Sequence, residues 1–179
     1  MRRLPRLTKK RVISAIAVII ISIIGQFLLP SSKLPNPSPP VAPPSTSPTY
    51  AKVIRVIDGD TIEIAGGQRV RYIGINTSEL ATAKKPDECF ARAASDKNKE
   101  LVEGKTIRLE KDISNTDKYG RLLRYIYLND LMVNDYLVKE GYAKATPIRP
   151  DIKYAKIFAA SQIEAKKAAK GLWQQCQQL

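Results

Sequence analysis

Histidine is absent from this 179-residue chain, cysteine occurs only twice and tryptophan once. The missing histidine excludes every mechanism that needs an imidazole base and every metal site with a histidine ligand. Carboxylate, guanidinium and hard-metal chemistry stays open. Acidic residues are also missing from the first 50 positions, because all 17 of them lie in residues 51–179. The sequence is therefore an acid-free N-terminal part followed by a part of mixed charge.

The N-terminal part has the pattern of a membrane segment. Six of the first 11 residues are Lys or Arg, and the next 18, Val12 to Leu29, carry no charge. About 20 apolar residues span a bilayer as a helix, and preceding basic residues favour a cytoplasmic N-terminus. A cleaved signal peptide usually has a shorter apolar core of about 7–15 residues and a small-residue cleavage site, which is not evident here. We expect an uncleaved anchor over residues 1–29, with a cleaved signal as the alternative. The remaining chain would then be anchored outside the cytoplasm, or secreted.

Residues 30–50 contain eight of the twelve prolines and no acid. Such a composition favours a semi-rigid linker, and a proline-rich ligand for a partner is the alternative. The folded domain is then expected over residues 51–179. It holds 23 of the 30 Lys and Arg residues, so its net charge is near +6. A domain of this charge attracts polyanions such as nucleic acids.

Five short apolar runs in this domain have the length and composition of β-strands. Asp58-Gly59 separates the first pair and Gly66-Gly67 the second, and both dipeptides are strong hairpin signals. No internal repeat is visible. The expected strands are Val53–Ile57, Thr61–Ala65, Arg69–Ile75, Thr106–Glu110 and Leu122–Leu128.

Three helices are expected between and after these strands. The first runs from about Glu88 to Glu103 with Asp87 as its cap, and the second from Leu131 to Glu140. The third is opened by Pro150-Asp151 and stopped by Gly171. Five strands with a helix after the third predict an α+β fold with an OB-type barrel, whose curved face commonly binds nucleic acids or sugars.

Three segments concentrate the residues that could carry chemistry: 58–61, 71–79 and 117–121. They contain carboxylate and amide oxygens of the kind that Ca²⁺ prefers, and a carboxylate, Glu79, that could activate water. They also contain Arg71 and Arg121, whose planar guanidinium groups match two oxygens of a phosphate. Asp58-Gly59 is most simply a turn, and the main structural alternative for Arg71 is an ion pair with Glu79. Together the segments indicate phosphodiester hydrolysis.

These segments, together with 132–144 and Gly171-Leu172-Trp173, resemble the staphylococcal nuclease (thermonuclease) family over essentially all of residues 51–179. The resemblance implies an OB-fold nuclease that uses Ca²⁺ on DNA and RNA and leaves 3′-phosphates. No protein partner is indicated, and a monomer is expected. The alternative is a non-catalytic nucleic-acid-binding module on the same fold, although such modules lack the carboxylates and arginines that this chain has.

The resemblance also implies roles for individual residues. Glu79 would be the general base, and Arg71 and Arg121 would hold the scissile phosphate. The metal would be held by Asp60, Asn76 and the backbone carbonyl of Thr77, and Lys118 and Tyr119 would contact substrate.

The chain departs from the family pattern at several of these positions. Asn76 replaces a second aspartate, which predicts weaker metal binding, and Ser78 replaces a proline beside Glu79. A pair of stacking tyrosines is not matched, because Pro147 and Arg149 lie near that point.

Cys89 and Cys176 lie near the two ends of the second half of the domain. An even cysteine count in an exported domain indicates a disulfide, and two free buried thiols are the alternative.

Overall fold

A computed structural model describes residues 48–176 of the chain. The segment expected to be an anchor or signal, residues 1–29, and most of the expected linker over 30–50 lie outside the described residues. Within residues 48–176, no helix is both long enough and apolar enough to cross a membrane. The first strand begins at Thr49, two residues before the expected start of the domain.

The described residues form eight strands and four helices. The strands are β1 (Thr49–Asp58), β2 (Thr61–Ile64), β3 (Arg69–Tyr72), β4 (Ile75–Asn76), β5 (Thr106–Glu110), β6 (Leu122–Leu128), β7 (Leu131–Met132) and β8 (Lys144–Ala145). The helices are α1 (Ala91–Val102), α2 (Val133–Lys139), α3 (Ala155–Lys167) and α4 (Leu172–Gln175).

Five of the strands close into a barrel. The sheet order is β3-β2-β1-β5-β6-β7, and a parallel pairing of β3 with β6 joins the two ends. The expected OB-type barrel of five strands, with a helix after the third of them, is therefore confirmed, and β7 only extends the edge of β6. The short strands β4 and β8 form a separate pair beside the barrel.

Buried and more exposed side chains alternate along strands such as β3 and β5, and the buried ones fill the barrel interior. Ile62, Val70 and Ile107 come from different strands, and each is completely buried. Helices α2 and α3 close one side of this core with Leu137 and Phe158. Burial of each such side chain contributes roughly 1.5–3 kcal/mol, so the barrel is a stable platform for the loops that its strands carry.

The third strand is shorter than the sequence predicted. β3 ends at Tyr72, because Gly74 has a φ of +78° and turns the chain away from the barrel. A Cβ atom at this position would lie 2.7 Å from the ring of Phe158, so glycine alone fits both the turn and the packing. The prediction of one strand over 69–75 is wrong for this end, where β4 pairs with β8 instead.

Helix α1 also starts later than predicted. Its first residue is Ala91, and the expected cap, Asp87, instead accepts hydrogen bonds from the backbone of Ala81 (2.6 Å) and from Arg92. Phe90 precedes the helix with a φ of +68°. The carboxylate therefore fastens the preceding loop and does not cap the helix.

The other two expected helices differ at their ends. Leu131 and Met132 pair as β7 with the end of β6, so α2 begins only at Val133. Asp151 does not open α3, because its carboxylate accepts hydrogen bonds from the loop at Ile113 and Ser114. The helix begins at Ala155. Gly171 does not stop α3, which ends at Lys167, but precedes the additional short helix α4, which the sequence did not indicate.

Two buried asparagines form hydrogen bonds between helices and the C-terminal ends of β1 and β3. Asn98 of α1 accepts a hydrogen bond from the hydroxyl of Tyr72 at 2.9 Å and donates to the carbonyl of Asp58 at 3.1 Å. Asn134 of α2 donates to the carbonyl of Ile73 at 2.9 Å. Both amides are fully buried, so these bonds hold the end of β1 and the segment after β3 in place.

A disulfide joins Cys89, just before α1, to Cys176 at the end of α4. The expected pairing is thus present, and it connects the loop before α1 with the C-terminal end of the described chain.

Candidate active site

The turn between β1 and β2 places Asp60 against the segment that follows β4. Asp60 is only 4% exposed, and its carboxylate accepts a hydrogen bond from the backbone N–H of Thr77 at 2.9 Å. Gly59 makes this approach possible, because a Cβ atom there would lie 2.7 Å from the side chain of Thr77. The turn therefore combines its hairpin role with close packing against the neighbouring loop.

Arg71 links this carboxylate to the amide of Asn76. One terminal nitrogen, Nη1, lies 2.9 Å from Asp60 Oδ2, and the other, Nη2, donates to Asn76 Oδ1 at 2.7 Å. Nη1 also donates to the backbone carbonyls of Tyr72 and Ile75, each at 3.1 Å. The ion-pair partner of Arg71 is therefore Asp60 and not Glu79, so the structural alternative that the sequence offered for Arg71 is wrong.

Burial raises the pKa of Asp60 to about 7, even though the adjacent Arg71 lowers it. The nearby carboxylate of Asp58 raises the pKa further, and the hydrogen bond from Thr77 lowers it. Desolvation of the charged form thus exceeds the attraction of a single guanidinium. A further cation beside Asp60 would offset this cost.

The donor set fits a hard cation. Asp60 and Asn76 present a carboxylate and an amide oxygen to the same guanidinium, and the backbone carbonyl of Thr77 accepts a hydrogen bond from Asn76 Nδ2 at 3.1 Å. These three oxygens are of the types that Ca²⁺ accepts. Among residues 48–176 no group of three or more His, Cys, Asp or Glu could bind a metal, so this set depends on neutral oxygens.

Arg121 is held by its own loop. Asp117 Oδ2 accepts from Arg121 Nε at 2.7 Å, and Asp117 Oδ1 accepts from the backbone N–H groups of Tyr119 and Arg121. Burial raises the pKa of Asp117, but the hydrogen bonds from Arg121 and the loop backbone outweigh it and hold the pKa below its usual value. Asp117 thus fixes the direction of the Arg121 side chain.

A cleft of about 500 Å³ brings four of the predicted residues together: Arg71, Lys118, Tyr119 and Arg121. Tyr119 is 72% exposed, and its ring lies 5.0 Å from Lys118 Nζ and 5.5 Å from Arg121 Cζ. An exposed ring among cations can stack on a base while the cations bind phosphate. Arg71 belongs both to this cleft and to the oxygen cluster of Asp60 and Asn76.

Glu79 does not line this cleft. Glu79 lies two residues after Thr77 and is exposed to solvent. Its backbone N–H donates to the Glu88 carboxylate at 2.9 Å, and its carbonyl accepts from the backbone N–H of Glu88, also at 2.9 Å. Glu88 therefore anchors the backbone of the loop that carries the candidate base.

Sequence reasoning missed the far wall of the cleft, which is formed by Ser114, Ile148, Arg149 and Asp151. Asp151 is buried and accepts from the backbone N–H groups of Ile113 (3.0 Å) and Ser114 (2.7 Å), which joins two loops distant in sequence. Arg149 adds a fourth basic side chain to the cleft. The signals in the sequence were the prolines at 147 and 150, which mark a loop, and Arg149 between them, near where the family pattern has a stacking tyrosine.

A small closed barrel has guanidinium groups in one cleft, and Arg71 connects that cleft to a buried carboxylate and a neutral amide oxygen. This is the arrangement of a phosphodiester-cleaving enzyme. Comparison with known proteins gives the same class. Residues 69–175 match the family described as "Staphylococcal nuclease homologue".

Several relatives have names that state an activity. The chain is 36% identical to a thermonuclease of Staphylococcus hyicus over 171 residues, which are 94% of this chain and 98% of that protein. It is 41% identical to a thermonuclease of Staphylococcus intermedius over 125 residues, covering 68% and 74% of the two chains. It is 39% identical to endonuclease YncB of Bacillus subtilis (strain 168) over 127 residues, covering 66% and 59%. The chain belongs to the staphylococcal nuclease family, and it is a hydrolytic nuclease whose substrate is nucleic acid.

Proposed function

We propose that the protein is a Ca²⁺-dependent nuclease that hydrolyses phosphodiester bonds of DNA and RNA outside the cytoplasm. The observation that carries this proposal is the position of Arg71, which touches the oxygen cluster of Asp60 and Asn76 and lines the same cleft as Arg121. A phosphate between the two guanidinium groups would lie next to the candidate cation ligands.

The two arginines bind the scissile phosphate, and they stabilise the charge that grows on its oxygens in the transition state. Arg121 is already directed by Asp117, whereas Arg71 has to exchange part of its contact with Asp60 and Asn76 for the phosphate. Asp60, Asn76 and the carbonyl of Thr77 would hold Ca²⁺, which supplies polarisation of a phosphoryl oxygen.

Glu79 takes a proton from water, and the water oxygen attacks phosphorus. The bond between phosphorus and the 5′-oxygen breaks, and the leaving oxygen takes a proton from solvent. The products are a 3′-phosphate and a 5′-hydroxyl, as the family resemblance implies. Tyr119 stacks on a base beside the cut, and Lys118 adds a point charge near the backbone.

The N-terminal sequence supports an extracytoplasmic site of action. Residues 1–29 would anchor the protein in the membrane through Val12–Leu29, and residues 30–50 would link the nuclease domain to it. Cleavage of the N-terminal segment would give a secreted enzyme. Protease treatment of intact cells tests the topology, since an anchored extracytoplasmic domain is digested and a cytoplasmic one is protected.

The decisive experiment compares cleavage and binding of single-stranded DNA by variants of the full-length protein. We expect Glu79→Gln and Arg121→Ala each to lower turnover at least about a hundredfold, in line with the loss of a general base or a transition-state donor. Binding should change far less, because diffuse phosphate contacts dominate it. Glu164→Gln and Lys156→Ala, which remove comparable charges from exposed positions of α3, are the controls.

Chelation of Ca²⁺ should abolish cleavage by the wild-type protein. Variants that cleave at the wild-type rate would refute the roles of Glu79 and Arg121, and full activity in chelator would refute the role of Ca²⁺.

A further inference from the structure

A second cleft of about 530 Å³ lies next to the one that contains Arg71, and the mechanism above uses only the residues that the two clefts share. The two clefts share Tyr119 and Arg121. The exposed ring of Tyr119 therefore stands where one cleft passes into the other. The second cleft is lined by Gly67, Gln68, Arg69, Tyr119, Gly120 and Arg121.

The charge of this second cleft suits an anion. Its lining contains two arginines and no carboxylate. Arg69 is exposed, and none of the ion pairs within residues 48–176 includes it. The acid opposite Arg69 in the sheet is Glu63, whose carboxylate is engaged by Arg55 at 2.8 Å. The guanidinium of Arg69 is thus available to a ligand.

The geometry of β3 aligns the two clefts. Arg69 and Arg71 are two residues apart on this strand, so their side chains leave the same face of the sheet, while Val70 between them points into the core and is completely buried. At about 3.3 Å per residue, the two Cα atoms lie roughly 6.6 Å apart along the strand. A row of guanidinium groups therefore leads from the scissile position into the second cleft.

Two glycines leave room for a polymer backbone in this second cleft. Gly67 has a φ of +77° and Gly120 a φ of +79°, and a Cβ atom at either position would meet nothing within 4 Å. Both belong to tight turns, the β2–β3 hairpin and the Asp117–Arg121 loop. The cleft walls are therefore free of side chains on these two sides, which permits close approach of a ligand.

We propose that the second cleft is a subsite for the next nucleotide of the substrate strand. The strand passes over Tyr119, Arg69 binds the backbone phosphate that follows the scissile one, and Gln68 lies beside the attached nucleotide. This subsite rests on the proposed nuclease function and extends it, since it makes the enzyme prefer chains over dinucleotides. A basic groove with an aromatic platform is the usual way to bind a single strand without reading its sequence.

The test uses the full-length protein and two single-stranded substrates, a dinucleotide, which has only the scissile phosphate, and an octanucleotide. We expect Arg69→Ala to lower the ratio of kcat/KM for the octanucleotide to kcat/KM for the dinucleotide about tenfold. Loss of one phosphate contact should also reduce the slope of log affinity for the octanucleotide against log salt by about 0.7, the value for single strands. Arg69→Lys, which keeps the charge, should restore the slope, and Lys156→Ala should change neither quantity.

An unchanged ratio and slope in Arg69→Ala, with active wild-type enzyme, would overturn the subsite and leave the nuclease function intact. A wild-type protein that cleaves neither substrate would refute the proposed activity. In that case the subsite would be tested by binding alone, with fluorescence anisotropy of the octanucleotide in chelator at several salt concentrations. A reduced slope in Arg69→Ala would support the subsite, and an unchanged slope would overturn it.

Discussion

Arg71 illustrates how one residue can serve two purposes. Its guanidinium is held by a buried carboxylate, an amide oxygen and two backbone carbonyls. Only the side of the group that faces the cleft remains for a phosphate. A cation that takes over the oxygens of Asp60 and Asn76 would compete with Arg71 for them and release the guanidinium toward substrate. In the proposed mechanism, metal affinity and phosphate binding would thus be coupled at this residue.

The first prediction at this scale concerns Asn76. Asn76→Asp adds an anionic oxygen to a set with a single carboxylate, so Ca²⁺ should half-saturate the activity at a lower concentration. Titration of activity with Ca²⁺ in both proteins measures this. Asn129→Asp, which adds the same charge at a distant turn, should leave the half-saturation unchanged. An unchanged or higher half-saturation in Asn76→Asp would count against Asn76 as a ligand.

A second prediction concerns the pH dependence of the Asp117–Arg121 ion pair. The folded protein holds the pKa of Asp117 below its usual value of 3.8. The pair therefore stabilises the protein above that pH, and its contribution is lost as the pH falls through the lower folded-state pKa. Asp117→Asn should lower Tm at pH 5–7, and the difference from wild type should shrink below about pH 4. A difference that persists unchanged to pH 2 would show that the charge of Asp117 is irrelevant, and Asp130→Asn is the control.

At the scale of elements, two loops form the wall of the cleft opposite β3, and carboxylates fasten them to each other. Asp151 binds the backbone of Ile113 and Ser114, and in return Asp112 accepts a 3.0 Å hydrogen bond from the backbone N–H of Lys153. Asp112 also accepts from the hydroxyl of Tyr125, inside the barrel wall. The loops are therefore coupled to each other and to the barrel through side chains, in addition to backbone hydrogen bonds such as the one from Leu123 N–H to the carbonyl of Asn115 at 3.0 Å.

The prediction for these loops is that Asp151→Ala destabilises the protein by about 1–3 kcal/mol, because two backbone donors lose their charged acceptor in a partly buried setting. Asp151→Asn keeps an oxygen acceptor and should cost less. Urea unfolding of the two variants, with Asp130→Ala as an exposed control, measures the difference. Equal losses for Ala and Asn would mean that the hydrogen bonds to Ile113 and Ser114 are not the source of the stability.

The elements that the sequence predicted well are those set by local patterns. Alternating apolar residues and glycine turns were sufficient for the five barrel strands. The motifs also selected Arg71, Lys118, Tyr119 and Arg121, which the structure brings to one cleft. The ends of elements were less predictable, because tertiary contacts decide them. Asp87 and Asp151 have the residue type of helix caps, yet each serves a neighbouring loop instead.

The site was predictable only in part for the same reason. Residue types alone could not show that Arg71 pairs with Asp60, or that Asp151 fixes the opposite wall, since these contacts join segments far apart in sequence. The sequence showed that Pro147 and Arg149 lie near where the family pattern has stacking tyrosines. It could not show that Arg149 lines the cleft, because that position depends on how two loops meet.

At the scale of the whole molecule, the positive charge is divided between two parts of the sequence. The tail before residue 51 contributes seven of the 30 basic residues, which membrane orientation accounts for in our proposal. The domain itself retains an excess of six positive charges, and part of that excess lies along the two clefts on Arg69, Arg71, Lys118, Arg121 and Arg149. In our proposal, long-range attraction of nucleic acid and local phosphate binding would thus use the same residues.

The last prediction concerns the covalent closure of the domain. The Cys89–Cys176 disulfide connects residues 87 positions apart and joins the loop before α1 to the end of α4. Loop closure of this length stabilises the folded state by at most about 4–5 kcal/mol in the chain-entropy model, so reduction should lower Tm by several degrees. The Cys89→Ser/Cys176→Ser double variant should have the Tm of the reduced protein, and its Tm should not respond to reductant.

Mass spectrometry of the unreduced protein from its native compartment should find the two cysteine peptides cross-linked. Two freely alkylated thiols there would show that the bond does not form in the cell, and an unchanged Tm on reduction would show that it does not stabilise the fold.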